Sequence, residues 1–269
     1  MTKLGEGAMP ELVVSDTVDA VATVRIDRPP FNAFDTALRI ELGEVVRAIS
    51  DDEGVRAVVI TGGATAFAAG ADLKALSVME YEQISVWNRA LQRVFNDIAA
   101  LPMPVIAAVN GVALGGGMEL ALAADFRVLA DDAVLALPEV QLGIVPGAGG
   151  MQRLRRLVGV SKAKEILMSG RRLDAREALS IGVAEHVVAA ADVVTHAQAL
   201  ASQFAAGPRF ALQAIKESID LGADSPLATG LAMDKNLLAG LFATDDRKVG
   251  INSFFDHGLG KARFGTTPE

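Results

Sequence analysis

The chain contains no cysteine. That absence excludes disulfides, thiolate nucleophiles and cysteine-ligated zinc, leaves serine or carboxylate chemistry open, and suits a reducing, cytoplasmic setting. Histidine is nearly as scarce: His186, His196 and His257 stand far apart in sequence, form no two-histidine motif, and give no reason to expect a metal. No basic block is present, and 25 Lys and Arg against 33 Asp and Glu leave a net charge of −8. A nucleic-acid partner is therefore disfavoured and a small-molecule substrate expected, with room for a local basic patch facing a phosphorylated ligand. Apolar runs are cut by Pro102, Pro104, Asn110 or Glu119 before the ~20 residues a membrane helix needs, so a soluble protein with no membrane partner is expected. Residues 1–11 lack the apolar core of a signal peptide and read as a flexible tail. There is no Gly-x-Ser-x-Gly elbow and no Gly-Lys-Ser/Thr phosphate loop, and Gln152 stands where Gly147-Ala148-Gly149 would need the third glycine of a dinucleotide fingerprint. Serine hydrolase, P-loop NTPase and NAD enzyme are set aside.

What is present is 269 residues, 51% of them hydrophobic, enough to bury a large core without staples. Leu12 to Ser15 and Ala20 to Ile26 read as a hairpin. Asp35 or Thr36 caps a helix reaching about Ser50, with Leu38, Leu42, Val45, Val46 and Ile49 at helical spacing. Val55 to Thr61, Val105 to Val109 and Phe126 to Ala130 are short, predominantly apolar runs, the pattern of strands buried on both faces. Helices at Tyr81 to Ala100 and Met118 to Ala124 separate them, and Ile84, Trp87, Leu91, Val94, Phe95 and Ile98 form a core stripe on the first. Val134 to Leu137 and Ala184 to Val188 add strands, and Met151 to Val158, Ser161 to Met168 and Asp174 to Ile181 add helices. From Ala190 the pattern is helical throughout, over Ala190 to Ala206, Pro208 to Leu221, Pro226 to Phe242 and Asp245 to Phe255. An α/β core over residues 12–200 and a helical C-terminal region over 201–269 are predicted, ending in a Gly-rich tail from Gly258 that is mobile unless a ligand or subunit holds it.

Chemistry concentrates between Pro104 and Gly150. Gly115, Gly116 and Gly117 stand at a helix start, where free N–H groups at the positive end of the helix dipole are uncovered by side chains and attract negative charge. With Gly116 in the first turn, Glu119 shares its face, which would make a base and an oxyanion site neighbours. Such glycines equally serve tight turns or close packing, and a first-turn glutamate equally compensates a dipole. Pro138-Glu139 is likewise either an ordinary helix beginning or a second carboxylate. The small-residue run Phe67 to Lys74 lies directly beyond a buried strand, where α/β proteins offer backbone amides to ligands. Gly147 to Gly150 reads as flexible backbone, and Arg153, Arg155 and Arg156 as a solvated face or a contact for phosphate or another subunit.

Taken together, Arg28-Pro29 with Asn32-Ala33, the Phe67-to-Lys74 loop, the Asn110-Gly111 to Glu119 run and the Pro138-Glu139 to Arg153 run resemble the enoyl-CoA hydratase/isomerase (crotonase) family across residues 12 to 257. The resemblance implies a crotonase-like spiral of β-β-α units with a C-terminal trimerisation region, assembled as a homotrimer or a hexamer of two trimers. It implies an acyl-CoA substrate and a lyase of fatty-acid β-oxidation, adding water to a trans-2-enoyl-CoA to give a 3-hydroxyacyl-CoA. Motif matching puts the oxyanion hole on the Ala71 and Gly116 amides and the catalytic carboxylates on Glu119 and Glu139. It puts substrate binding on Ala71, Asp72, Leu73, Lys74 and Gly116, with no metal and no cofactor beyond the coenzyme A of the substrate. An isomerase of the same family, needing one glutamate, and a catalytically idle acyl-CoA-binding scaffold are the alternatives. The chain departs from commoner patterns at Ala136-Leu137, where many hydratases carry Gly-Gln, and in the Phe254 to Phe264 tail.

Overall fold

The computed structural model describes residues 11–264; the expected N-terminal tail, apart from Glu11, lies outside them. Strands β1 (Val13–Val18) and β2 (Val21–Ile26) form an antiparallel hairpin with Val18 opposite Val21. The two-residue connection puts Asp19 and Ala20 at φ of 49° and 64°, the left-handed pair that suits the twist of a tight hairpin. Helix α1 (Thr36–Asp51) is capped by Asp35, whose carboxylate accepts from the Leu38 N–H at 2.9 Å, and buries Leu38, Leu42, Val46 and Ile49.

Three turns of a spiral follow, each made of a strand in one sheet, a strand in a second sheet, and a helical return. The first comprises β3 (Ala57–Thr61), β4 (Ala66–Ala68), α2 (Leu73–Leu76) and α3 (Tyr81–Ala99). The second comprises β5 (Val105–Val109), β6 (Val112–Leu114) and α4 (Gly116–Ala121). The third comprises β7 (Phe126–Ala130), β8 (Val134–Ala136), a 3₁₀ turn at Glu139–Leu142 and α5 (Gly150–Val158). After α6 (Val160–Ser169), β9 (Arg172–Asp174) and α7 (Ala175–Ser180), the sheets are completed by β10 (His186–Val188). The large sheet runs β1-β2-β3-β5-β7-β10, parallel beyond the hairpin, and the small one β4-β6-β8-β9. This is the crotonase-like spiral expected from the motifs.

Strands β4, β6 and β9 escape the sequence reading, whereas the equally short β8 and β10 fall inside the strands expected at Val134 to Leu137 and Ala184 to Val188. Gly111, at φ 59°, marks the hop from β5 to β6: a Cβ there would stand 2.1 Å from the Thr65 carbonyl oxygen, so the crossing excludes any side chain. All five residues of β3 and of β5 are buried, as their unbroken apolar runs require. Helix α8 (Val193–Ala205) lies on the large sheet through Val193, Ala197, Ala201 and Ala205, an i, i+4 stripe whose small side chains let it approach closely.

The last three helices are different. In α9 (Arg209–Gly222) only Ala214 is buried, and in α10 (Leu227–Leu241) and α11 (Asp245–His257) no residue is. Leu227, Leu231, Leu238, Phe242 and Phe255 are all more than half exposed. A tether to the core comes from Lys216, whose ammonium meets the Asp125 carboxylate at 2.8 Å and donates to the Met103 carbonyl. The described part of the C-terminal tail folds back, bringing the Phe264 ring beside Gly250 of α11.

Candidate active site

The loops that leave β4, β6 and β8, adjacent strands of the small sheet, carry Ala71, Gly116 and Glu139 respectively. Each group stands two or three residues past its strand, so three consecutive turns of the spiral supply one group each.

At the first loop, Ala71 forms an isolated parallel bridge with Phe34: the Phe34 N–H donates to the Gly70 carbonyl at 2.7 Å and the Asp72 N–H to the Phe34 carbonyl at 2.8 Å. This alternation uses the neighbours' groups and turns the Ala71 N–H away, and among the described residues it donates to no acceptor. Two residues brace the loop. Arg28 pairs with Asp35 at 2.9 Å and Asp72 at 3.1 Å, and Asp72 caps α2 by accepting from the Lys74 and Ala75 N–H groups. Buried Asn32, at φ 54°, donates to the Ala66 and Phe67 carbonyls and accepts from the Arg28 N–H. The Asp72 carboxylate is thus engaged within the loop, while the side chains of Leu73 and Lys74 are exposed.

At the second loop, Gly115 has φ 49° and ψ −122°, a conformation open to glycine, and its N–H donates to Ala136 of β8. The Gly116 N–H has no acceptor among the described residues, as befits a helix first turn. A Cβ on Gly116 would stand 3.8 Å from the Ala71 nitrogen, so the two free amides are neighbours; one on Gly117 would stand 1.9 Å from the Ala68 carbonyl oxygen, which makes glycine obligatory where α4 crosses β4.

The carboxylates flank this turn in contrasting surroundings. Glu119, 3% exposed, turns its Oε1 to the N–H groups of Ala148 and Gly150, both at 2.8 Å. Burial raises its pKa, opposed by those two amides and then by the Arg153 charge. Glu139 is half-buried; its Oε1 lies 2.8 Å from where a Gly115 Cβ would be, and its buried Oε2 has no partner. Loss of hydration, with a further push from the Glu119 charge, raises its pKa to about 7. One carboxylate is therefore held by donors that favour the ionised form, and the other is poised to carry a proton near neutrality.

The structure brings Ala71, Gly116, Glu119 and Glu139 into one locus. The sequence reading missed the partners of Glu119, because Gly147 to Gly150 is not loose backbone but a fastened strap. It also gave Asn32 no structural role, although Asn32-Ala33 was among the motifs that carried the resemblance. His186 and His196, distant in sequence, meet with ring centroids 4.9 Å apart, yet among the described residues no group of three or more His, Asp or Glu could hold a metal. No helix of the described residues is long and apolar enough to cross a membrane.

Comparison with known proteins gives a consistent family. A model described as enoyl-CoA hydratase/isomerase matches residues 16–265. The putative enoyl-CoA hydratase/isomerase YngF of Bacillus subtilis is 42% identical over 236 residues, covering 87% of this chain and 91% of that protein. The probable enoyl-CoA hydratase echA8 of Mycobacterium bovis is 35% identical over 247 residues, covering 91% and 95%. Among solved structures, enoyl-CoA hydratase from Bacillus anthracis superposes with a TM-score of 0.90 at 38% identity, covering 94% of this chain and 100% of that one. The chain belongs to the enoyl-CoA hydratase/isomerase family.

Proposed function

We propose that this family member is a hydratase, adding water to a trans-2-enoyl-CoA to give a 3-hydroxyacyl-CoA. The observation that carries the reading is the pair of carboxylates, one gripped through Oε1 by two backbone amides and one with a buried oxygen that has no partner among the described residues, close to two free backbone amides. Glu119 takes a proton from water as the oxygen bonds to C3, and the C2–C3 π electrons move towards the thioester oxygen. The resulting enolate is held by the Ala71 and Gly116 N–H groups; loss of one such donor costs about 3 to 4 kcal/mol of transition-state stabilisation. Protonated Glu139 then delivers its proton to C2. No metal or cofactor takes part beyond the coenzyme A of the substrate, and Leu73 and Lys74 border its approach.

The exposed apolar faces of α10 and α11 support assembly as a homotrimer or a hexamer, and the cysteine-free chain suits the cytoplasm and a β-oxidation role. The test is turnover of crotonyl-CoA and of a 3-enoyl-CoA by wild type, Glu119→Gln, Glu139→Gln and the double variant, with circular dichroism to confirm folding. Each single change should abolish hydration, and the double change should add far less than the sum, since the groups act as a unit. Intact hydration by Glu119→Gln sinks the two-carboxylate reading. Retained 3-enoyl-CoA isomerisation by one single variant identifies an isomerase, and no turnover of either substrate by wild type identifies a binding scaffold.

A further inference from the structure

The strap Gly147-Ala148-Gly149-Gly150 is fastened on both sides. On one side its Ala148 and Gly150 amides bind Glu119. On the other, α3 presents Asn88, Gln92 and Asn96, spaced i, i+4, i+8 and so lying in one row along the helix. Asn88 and Gln92 donate to the Gly147 carbonyl at 3.0 and 3.4 Å. Asn96 instead accepts from Arg153 at 2.8 Å, and the same guanidinium donates to the Ala148 carbonyl at 3.1 Å. The strap glycines each back onto a different member of this set: a Cβ on Gly147 would stand 2.4 Å from the Asn88 amide oxygen, on Gly149 2.2 Å from the Arg153 guanidinium, and on Gly150 2.9 Å from the Glu119 Cγ. The glycine content of the strap is thus the space its polar neighbours need.

We infer that Arg153, oriented by Asn96, is a positioning residue for Glu119: it grips the Ala148 carbonyl, on the peptide between the two whose N–H groups face the carboxylate, and it carries a positive charge that acts on that carboxylate. This rests on the proposed role of Glu119 as the base. The charged groups acting on this pair are few. Glu119 faces Arg153 from α5 and Glu139 from the loop after β8, while Arg153 also senses Arg156 of its own helix and Asp220 of α9. The Arg153 charge favours ionised Glu119, so its removal makes Glu119 harder to ionise.

The experiment is the pH dependence of crotonyl-CoA hydration by the full-length protein carrying Arg153→Met, Arg153→Lys, Asn96→Ala or, as a charge control, Arg155→Met. Arg155 is exposed, and among the described residues its side chain bonds only to Gln152. Arg153→Met should lower kcat about tenfold or more through misaimed geometry, leave KM within about twofold, as expected for a group that does not hold substrate, and move the acid limb of the kcat profile upward. Lysine at 153 should restore the acid limb while recovering only part of kcat, because it keeps the charge without the fork. Asn96→Ala should lower kcat with a smaller movement of the limb, and Arg155→Met should change neither. An unmoved acid limb in Arg153→Met, or one moved equally by Arg155→Met, overturns the inference; should Arg153→Met not fold, an unchanged kcat in both Arg153→Lys and Asn96→Ala does so. Wild-type hydration by Glu119→Gln would instead overturn the role of Glu119 itself, which keeps the two failures apart.

Discussion

Glu139 should make the protein less stable at neutral pH than in mild acid. Burial, with one oxygen lacking a partner among the described residues, and the nearby Glu119 charge push its carboxyl up to about 7, against 4.5 for an ordinary glutamate. A raised carboxyl pKa means that the folded state binds more protons than the unfolded state between these two values. Stability therefore falls as pH rises from about 4.5 to about 7 and is flat beyond. At 1.36 kcal/mol per unit the interval corresponds to about 3.4 kcal/mol, and solvent reaching the half-buried group cuts this to roughly 1.5–2 kcal/mol. Glu139→Gln removes the titration. Its stability relative to wild type should therefore improve by about that amount between pH 5 and pH 8, while crotonyl-CoA hydration is lost. Any cost of an imperfectly paired amide at 139 is the same at each pH and cancels in the difference. Urea unfolding of both proteins at pH 5, 6, 7 and 8, at one fixed protein concentration, measures it. A difference between the two proteins that does not vary with pH would refute the argument, and with it the idea that Glu139 is held as a neutral acid.

Two further outcomes follow from the frame around the site. Asn32→Ala puts an ordinary side chain at φ 54° and strips a donor from the Ala66 and Phe67 carbonyls, which should cost roughly 2–4 kcal/mol by chemical denaturation; a shift below about half a kilocalorie, the noise of such measurements, would show the brace to be dispensable. Leu231→Glu with Leu238→Glu places charge on the bare face of α10 and should yield a smaller species in sedimentation velocity, whereas an unchanged assembly would mean that this face is not an interface.

Much of the scaffold is legible in the sequence because its signals are local. The stripes of α1 and α3 have helical period, and β3, β5 and β7 are predominantly apolar runs bounded by turns, with Arg127 the one charge buried in β7. Of the small sheet only β8 is legible, as the apolar run Val134 to Leu137 closed by Pro138; β4, β6 and β9 show no pattern of their own, and they exist because neighbouring turns of the spiral supply ladder partners. The same divide runs through the site. Gly115 to Gly117 and Glu119 announce a helix start with a carboxylate on it. The purpose of Gly147 to Gly150 could not be read, since what fills the space above each glycine comes from Asn88, Arg153 and Glu119 on three separate helices. The crowding that requires glycine is a tertiary fact, and from sequence alone it is indistinguishable from looseness.

The small sheet also sets a scale. Ala71, Gly116 and Glu139 hang from β4, β6 and β8, which are joined by parallel ladders. The strands that carry them are accordingly held at the interstrand repeat, ~4.8 Å, that backbone hydrogen bonds impose on any sheet. Side chains lining the approach to the site can change in size and polarity without disturbing that ruler, because none of them sets it. A chain built this way can vary its walls while the spacing of the three strands that carry these groups stays fixed by backbone hydrogen bonds.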